Sequence, residues 1–137
     1  MSRLITDASV LVKCMFDEVG SAAARSMLGG PLPPAAPDLV SAECANAIWK
    51  RVRRRQIDRL AAHKALAVLD AVPFELLPLQ PLTETALGLA LEYDHLVYDC
   101  YYLAAAITRD ANLATADTRL YELALRVGFG ERAILVG

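Results

Sequence analysis

Short apolar segments alternate with longer segments of helical periodicity along the whole chain. The apolar segments are Leu4–Thr6, Leu39–Val40, Phe74–Leu77, Asn112–Ala116 and Ile134–Val136. Parallel strands need a helix-length connection between them, so this alternation predicts an α/β three-layer sandwich: a central, mostly parallel sheet flanked by helices. Ligands of such folds bind at the carboxyl ends of the strands. The residues that directly follow the strands are therefore the first candidates for a functional site.

Size, charge and cysteine content limit the function classes that need to be considered. The chain has 137 residues and a net charge of −2, and 55% of it is hydrophobic, which predicts one folded domain over residues 1–137. It has no overall positive charge with which to coat nucleic acid or an anionic membrane. The three cysteines form neither a disulfide framework nor a metal clip, and no apolar run is long enough to span a membrane. We expect a cytoplasmic protein.

Two aspartates follow predicted strands. Asp7 comes directly after the first strand, and Asp117 comes directly after Ala116 at the end of a later one. The chain contains neither G-x-G-x-x-G nor G-x-x-x-x-G-K-[ST], so a backbone cradle for phosphate is excluded. Ser9 and Thr115 each lie two residues from one of these acids and could cap a helix or hydrogen-bond the carboxylates. Two acids at one edge of a sheet indicate a metal site.

Two further acids lie near predicted helix starts. Ser41 is expected to cap a helix that carries Glu43 in its first turn, and Asp99 lies in the first turn of a helix over 97–109. Acids at such positions complement the helix dipole without any function, which is an alternative explanation for each of them. Asn46 lies three residues after Glu43 on the same helix face and could hydrogen-bond a carboxylate or a ligand.

Histidines and tyrosines near these acids have a simpler interpretation. The only histidines are His63 and His95, in different predicted helices, so no zinc-binding pair exists and a structural role is favoured. Tyr98, Tyr101 and Tyr102 could stack on a base, but tyrosines on an apolar helix are more often core and boundary residues.

A basic segment follows Glu43 on the same predicted helix. Seven of the fourteen cations fall within fifteen residues: Lys50, Arg51, Arg53, Arg54, Arg55, Arg59 and Lys64. Lys50 and Arg54 lie within about 20° of Glu43 around the helix, whereas Arg53 is rotated by about 80°. The predicted core stripe of this helix is Ala45, Ile48, Trp49 and Val52. The segment is either a solvated helix end or a surface for nucleic acid, with Lys50, Arg53 and Arg54 as the candidate RNA contacts.

In their order and spacing, four segments resemble the PIN-domain ribonucleases, in particular the VapC-type toxins of bacterial type II toxin–antitoxin pairs. The segments are Ile5–Ser9, Ser41–Glu43 with Asn46, Val97–Ala104 and Leu113–Leu120, and the resemblance spans the chain. It implies a PIN-like fold and an acidic metal-binding and catalytic quartet, with Ser9, Asn46 and Thr115 as polar support. The quartet is Asp7, Glu43, Asp99 and Asp117.

The resemblance also implies a cofactor and partners. These are Mg²⁺ or Mn²⁺, an RNA substrate such as tRNA or rRNA, a homodimer, and a VapB-type antitoxin that blocks the site. The residue types fit this chemistry, because four converging carboxylates repel one another by roughly 3 kcal/mol per pair at ~5 Å and an effective dielectric of ~20. A functional site should therefore either bind a divalent cation or raise the pKa of some of these carboxylates. If a cation binds, hard oxygen ligands select Mg²⁺ or Mn²⁺.

Two alternatives remain open at the level of sequence. A phosphoacceptor receiver domain also carries acids at strand ends, but it would show an acidic pair after the first strand and a late lysine, whereas this chain has Asp7 alone and no lysine after Lys64. The other alternative is a PIN fold kept only as a non-catalytic binding scaffold.

Overall fold

The computed structural model describes residues 3–31 and 33–137, and within them the chain alternates strands and helices as predicted. The elements in chain order are β1 (Arg3–Thr6), α1 (Ala8–Met15), α2 (Ser21–Leu28), β2 (Ala35–Pro37), α3 (Leu39–Arg53), α4 (Arg59–Ala71), β3 (Glu75–Leu77), α5 (Gln80–Tyr93), α6 (Val97–Thr108), β4 (Ala111–Thr115), α7 (Thr118–Arg126), a 3₁₀ turn (Gly130–Arg132) and β5 (Ala133–Leu135).

The strands form one parallel sheet in the order β3-β2-β1-β4-β5. From β1 to β3 the chain moves one way across the sheet, and from β3 to β5 it moves the other way. Because crossovers between parallel strands are right-handed, the two directions place α1–α4 on one face and α5–α7 on the other. The direction reverses between β1 and β4, which makes the carboxyl ends of these two strands the topological switch point, where open α/β sheets bind ligands.

Apolar side chains from both helical layers cover the sheet. Ile5 of β1 and Leu113 of β4 are paired in register and fully buried, as are Leu11 of α1 and Leu103 of α6. Burying one such side chain contributes about 1.5–3 kcal/mol. The switch point is therefore built on fully buried side chains of two central strands and of both helical layers.

The structure corrects the prediction for the second strand. The residues predicted to be this strand, Leu39–Val40, begin α3, and the strand is Ala35–Pro37 instead. The four prolines at positions 31, 33, 34 and 37 indicate a turn, but Ala35 and Ala36 pair with β3, and Pro37 lies at the end of the strand. Proline is tolerated there because it occupies the end of the ladder.

The predicted start of α3 also lies too far along the sequence. The N-cap is Asp38 rather than Ser41, so Glu43 lies in the second turn and the dipole no longer explains its position. The predicted core stripe is confirmed at Ile48 but wrong at Ala45 and Trp49: the buried residues are Val40, Cys44 and Ile48, whereas Trp49 is 55% exposed. Ile48 and Trp49 are adjacent in sequence and lie about 100° apart around the helix, and it is Ile48 that faces the core.

Candidate active site

Asp7 lies at the end of β1 and is the most buried acid of the site, with 5% of its surface exposed. Ser9 Oγ donates to Oδ1 at 2.6 Å, Thr115 Oγ1 donates to Oδ2 at 2.6 Å, and the Val10 amide donates to Oδ1 at 3.2 Å. Desolvation by burial raises the pKa of Asp7 to about 6, although these hydrogen bonds oppose the shift. Asp7 caps α1, and its pKa is also raised, which the role of a helix cap alone does not require.

Two hydroxyl groups join β1 to β4 behind Asp7. Besides donating to Asp7, Ser9 Oγ accepts from the Ala116 amide at 2.8 Å, and Thr115 Oγ1 accepts from the Asp117 amide at 2.9 Å. Each hydroxyl thus links the carboxylate of one strand end to the backbone of the other. This network explains why Ser9 and Thr115 stand two residues from the acids: they fix the two strand ends together.

Asp117 follows β4 and caps α7. Its Oδ1 accepts from the Arg119 amide at 2.9 Å, and its Oδ2 lies 3.5 Å from the Arg119 guanidinium. Its charge contributes to the raised pKa of Asp7, so the two strand-end acids interact electrostatically. The predicted strand–acid–helix arrangement is confirmed for both.

The helix-borne acids are held by Tyr102 of α6 and by His95, which lies between α5 and α6. Tyr102, 2% exposed, donates a hydrogen bond to Glu43 Oε1, and His95 Nε2 lies 2.8 Å from Asp99 Oδ2. Burial raises the pKa of Glu43, and the nearby charges of Asp99 and Asp117 raise it further, while the Tyr102 hydrogen bond lowers it. Asp99 lies in the first turn of α6, as predicted.

One cleft of about 450 Å³ brings these residues together. The predicted residues that line it are Asp7, Ser9, Glu43, Asn46, Lys50, Asp99 and Asp117; Thr115 lies behind Asp7. Three lining residues with polar side chains were not predicted to be part of the site: Lys13, Glu18 and Tyr102. The i, i+3 spacing of Asp99 and Tyr102, and the i, i+4 spacing of His95 and Asp99, are the signals in the sequence that could have identified Tyr102 and His95.

A second depression of about 550 Å³ adjoins the cleft and continues it along α3. Lys50 lines both, and Arg54 and Gln56 line the second. Helix α3 runs through Arg53, so Lys50 and Arg54 do lie on the Glu43 face. Arg53 lines neither depression, and its guanidinium lies over the Trp49 ring at 5.6 Å from the centroid. The acids and two exposed cations thus share one groove.

The donor set of the cleft suits a hard divalent cation, since it consists of carboxylate oxygens with an amide and hydroxyls beside them. Within residues 3–31 and 33–137, however, no three His, Cys, Asp or Glu side chains converge closely enough to enclose an ion by themselves. Each acid is instead drawn to its own hydrogen-bond donor. Mg²⁺ commonly keeps several waters and takes only one or two carboxylates directly, so the chemistry of the cleft fits such an ion.

Comparisons with known proteins agree with this geometry. Residues 4–125 match the PIN domain family. The chain is 30% identical over 125 residues to the protein named Ribonuclease VapC1 in two strains of Mycobacterium tuberculosis, an alignment that covers 88% of this chain and 90% of that protein. Both the family match and the alignment with this protein extend over most of the chain. The chain belongs to the PIN domain family, and its relatives there include VapC ribonucleases.

Two solved structures share the fold. PAE2754 from Pyrobaculum aerophilum superposes with a TM-score of 0.70 at 27% identity, covering 89% of this chain and 79% of that one. A chain of a toxin–antitoxin complex from Klebsiella pneumoniae superposes with a TM-score of 0.59 at 20% identity, covering 88% and 90%. The second likeness shows the fold alone. Among the residues that the structure describes, no helix is both long and apolar enough to cross a membrane.

Proposed function

We propose that this protein is a metal-dependent endoribonuclease toxin that cleaves structured RNA, such as tRNA or rRNA, and is neutralised by a VapB-type antitoxin. The observation that carries the proposal is the single cleft lined by Asp7, Glu43, Asp99 and Asp117 at the switch point of a PIN-family fold. The similarity to Ribonuclease VapC1 supports the reaction class. The family match sets aside the receiver-domain alternative.

The four acids would hold the cofactor, Mg²⁺ or Mn²⁺, with Asn46 beside them. When bound, such an ion supplies Lewis acidity at the scissile phosphate and makes water a better nucleophile at neutral pH. Cys44 and Cys100 are buried, and burial raises the pKa of both thiols, so neither is available as a nucleophile. In the proposed reaction water is the attacking group, and the acids would hold the cation and orient that water.

Lys50 and Arg54 would bind the phosphates that flank the scissile one. Both are exposed on the α3 side of the groove, whereas the neighbouring Arg51 is committed to Glu18 at 2.8 Å and to the Phe16 ring. The substrate would therefore enter along α3, with its backbone against these two cations. Arg53, which lies outside the groove, stays a predicted contact for RNA beyond it.

The partner proposals rest on the same charges and on exposed apolar surface. A basic side chain of the antitoxin would complement the acidic cleft and exclude RNA.

For a homodimer, α5 offers Leu87 and Leu91, which lie one turn apart and are 50% and 75% exposed. Sedimentation equilibrium of the wild type and of Leu91→Glu tests this face. A dimer that the substitution dissociates supports it, and the same oligomeric state in both proteins contradicts it.

The three free, buried cysteines support a reducing, cytoplasmic location.

Incubation of the pure protein with total RNA tests the activity directly. We expect fragments in Mn²⁺ or Mg²⁺, none in EDTA, and a loss of at least about 100-fold for Asp7→Asn, because losing a ligand of a catalytic ion costs several kcal/mol. Asp58→Asn, a replacement at the exposed N-cap of α4, is the matched control and should cleave like the wild type. Intact RNA under all conditions would favour the non-catalytic scaffold.

A further inference from the structure

Two donors that the proposed chemistry does not use directly lie on or beside α6 and contact the helix-borne acids. Tyr102 is buried and donates to Glu43, a residue 59 positions away in sequence. His95 lies 2.8 Å from Asp99, and both side chains of this pair are largely shielded from solvent. Neither contact is needed to build the sheet or to cap a helix.

The Tyr102 hydroxyl is a donor to the Glu43 carboxylate. A tyrosine hydroxyl carries one hydrogen, whereas an ionised carboxylate can only accept. The hydroxyl therefore gives its hydrogen to Glu43 Oε1, and it occupies one of the two carboxylate oxygens.

The backbone before α6 aims His95 at Asp99. Asp94 ends α5 in the left-handed conformation, with φ 50°, and the His95 amide donates to the Ala90 carbonyl at 3.1 Å. Residues other than glycine seldom adopt this conformation, and such strain is kept where the surroundings require it. The turn fixes the main chain of His95, so that its ring lies beside the first turn of α6.

Resting on the function proposed above, we propose that Tyr102 and His95 are positioning residues for the metal centre. Each holds one carboxylate oxygen of a helix-borne acid, Glu43 or Asp99, and so restricts the rotation of that side chain before a cation arrives. The strand-end acids do not need this help, because Ser9 and Thr115 fix Asp7 and the backbone of Asp117. Donors to metal-binding side chains typically change metal affinity by about 10- to 100-fold when removed.

Mn²⁺ titration calorimetry of the full chain, without RNA, tests this role. Tyr102→Phe removes only the hydroxyl, and His95→Ala removes the ring. We expect each to weaken Mn²⁺ binding by about 10- to 100-fold. His95→Gln keeps an N–H donor and should restore most of the affinity. In RNA cleavage, the Mn²⁺ concentration for half-maximal rate should rise by the same factor, while the KM for RNA at saturating Mn²⁺ stays that of the wild type.

Two substitutions serve as matched controls. Tyr101→Phe removes a hydroxyl of the same helix that bonds to Thr83 outside the cleft, and His63→Gln changes the exposed histidine of α4. Both should bind Mn²⁺ like the wild type.

The outcomes distinguish failure of the positioning role from failure of the proposed metal dependence. Wild-type Mn²⁺ affinity in Tyr102→Phe and His95→Ala, even with a lowered melting temperature, would make both residues merely structural and overturn the positioning role. A His95→Gln variant as weak as His95→Ala would do the same for His95. If the wild type binds no Mn²⁺, the proposed metal dependence fails and the positioning role fails with it. If Tyr102→Phe does not fold, the positioning role is claimed for His95 alone, and the two His95 variants decide it.

Discussion

The two ends of the groove are built in opposite ways. At the acidic end every carboxylate has a specific donor: Ser9 and Thr115 for Asp7, the Arg119 amide for Asp117, and Tyr102 and His95 for the two helix-borne acids. At the basic end, Lys50 and Arg54 are exposed side chains on the last turn and cap of α3.

Under the proposed function, the acidic end would carry the chemistry and the basic end would carry the affinity for RNA. Buried, hydrogen-bonded groups are held in one geometry, and the repulsion between them is maintained at a cost in stability, as is common at functional sites. Exposed cations are mobile, and salt screens their interactions. Substitutions at the acidic end should therefore change rate and stability, and those at the basic end should change RNA affinity and its salt dependence.

The largest expected effect concerns pH and the acidic end. The pKa of Asp7 is about 6 in the folded protein against 3.8 in the unfolded chain, so between these pH values the folded state keeps a proton that the unfolded state has lost. The free energy of unfolding should therefore fall as pH rises from about 4 to above 6, by up to about 3 kcal/mol. The raised pKa of Glu43 acts in the same direction. Urea denaturation in EDTA at a series of pH values measures the fall.

Asp7→Asn should remove most of this pH dependence and stabilise the metal-free protein above pH 6, because asparagine caps a helix about as well as aspartate does. Asp58→Asn, also at a helix N-cap, should keep the wild-type profile. If Asp7→Asn is less stable than the wild type at pH 8, the charge of Asp7 stabilises the fold, and the contrast between the two ends is wrong.

A smaller effect is expected at the basic end. Replacing both Lys50 and Arg54 with alanine should weaken RNA binding by roughly tenfold, since each exposed contact is worth up to about 1 kcal/mol. The slope of log affinity against log salt should become shallower by about 1.4, at about 0.7 per phosphate contact on single-stranded RNA. Fluorescence anisotropy of a labelled RNA in EDTA, at several salt concentrations, measures both.

The matched control is a double substitution of the same charge outside the groove, Lys64→Ala with Arg59→Ala, two exposed cations of α4. It should leave the salt slope closer to that of the wild type. Equal slopes for the two double variants would mean that RNA follows the net charge of the surface and not the groove, and Lys50 and Arg54 would then be part of a solvated helix face.

The strand-end half of the acidic site could be predicted because its signals are local. Asp7 and Asp117 each stand between a short apolar run and a helix, and parallel strands bring their carboxyl ends to one edge. The positions of Ser9 and Thr115 follow from the same turns. The basic face of α3 was also predictable, because helical geometry alone places Lys50 and Arg54 in line with Glu43.

The helix-borne half could be predicted only in part, because it depends on contacts between distant segments. No local pattern shows that Tyr102 reaches Glu43, and a buried tyrosine on an apolar helix resembles an ordinary core residue.

The prediction for the second strand is wrong because Ala35–Pro37 has neither β-branched nor aromatic residues, so its sequence shows little preference for a strand. Its burial between β1 and β3 overrides that weak preference.

Anomalous diffraction from crystals grown with Mn²⁺ tests most directly whether the four acids form one metal centre. Anomalous density for Mn²⁺ should lie in the cleft between Asp7, Glu43, Asp99 and Asp117, and Asp7→Asn crystals grown in the same way should show it weakened or absent. A cleft without Mn²⁺ at concentrations that support RNA cleavage, or Mn²⁺ bound only elsewhere on the protein, would contradict a shared metal centre.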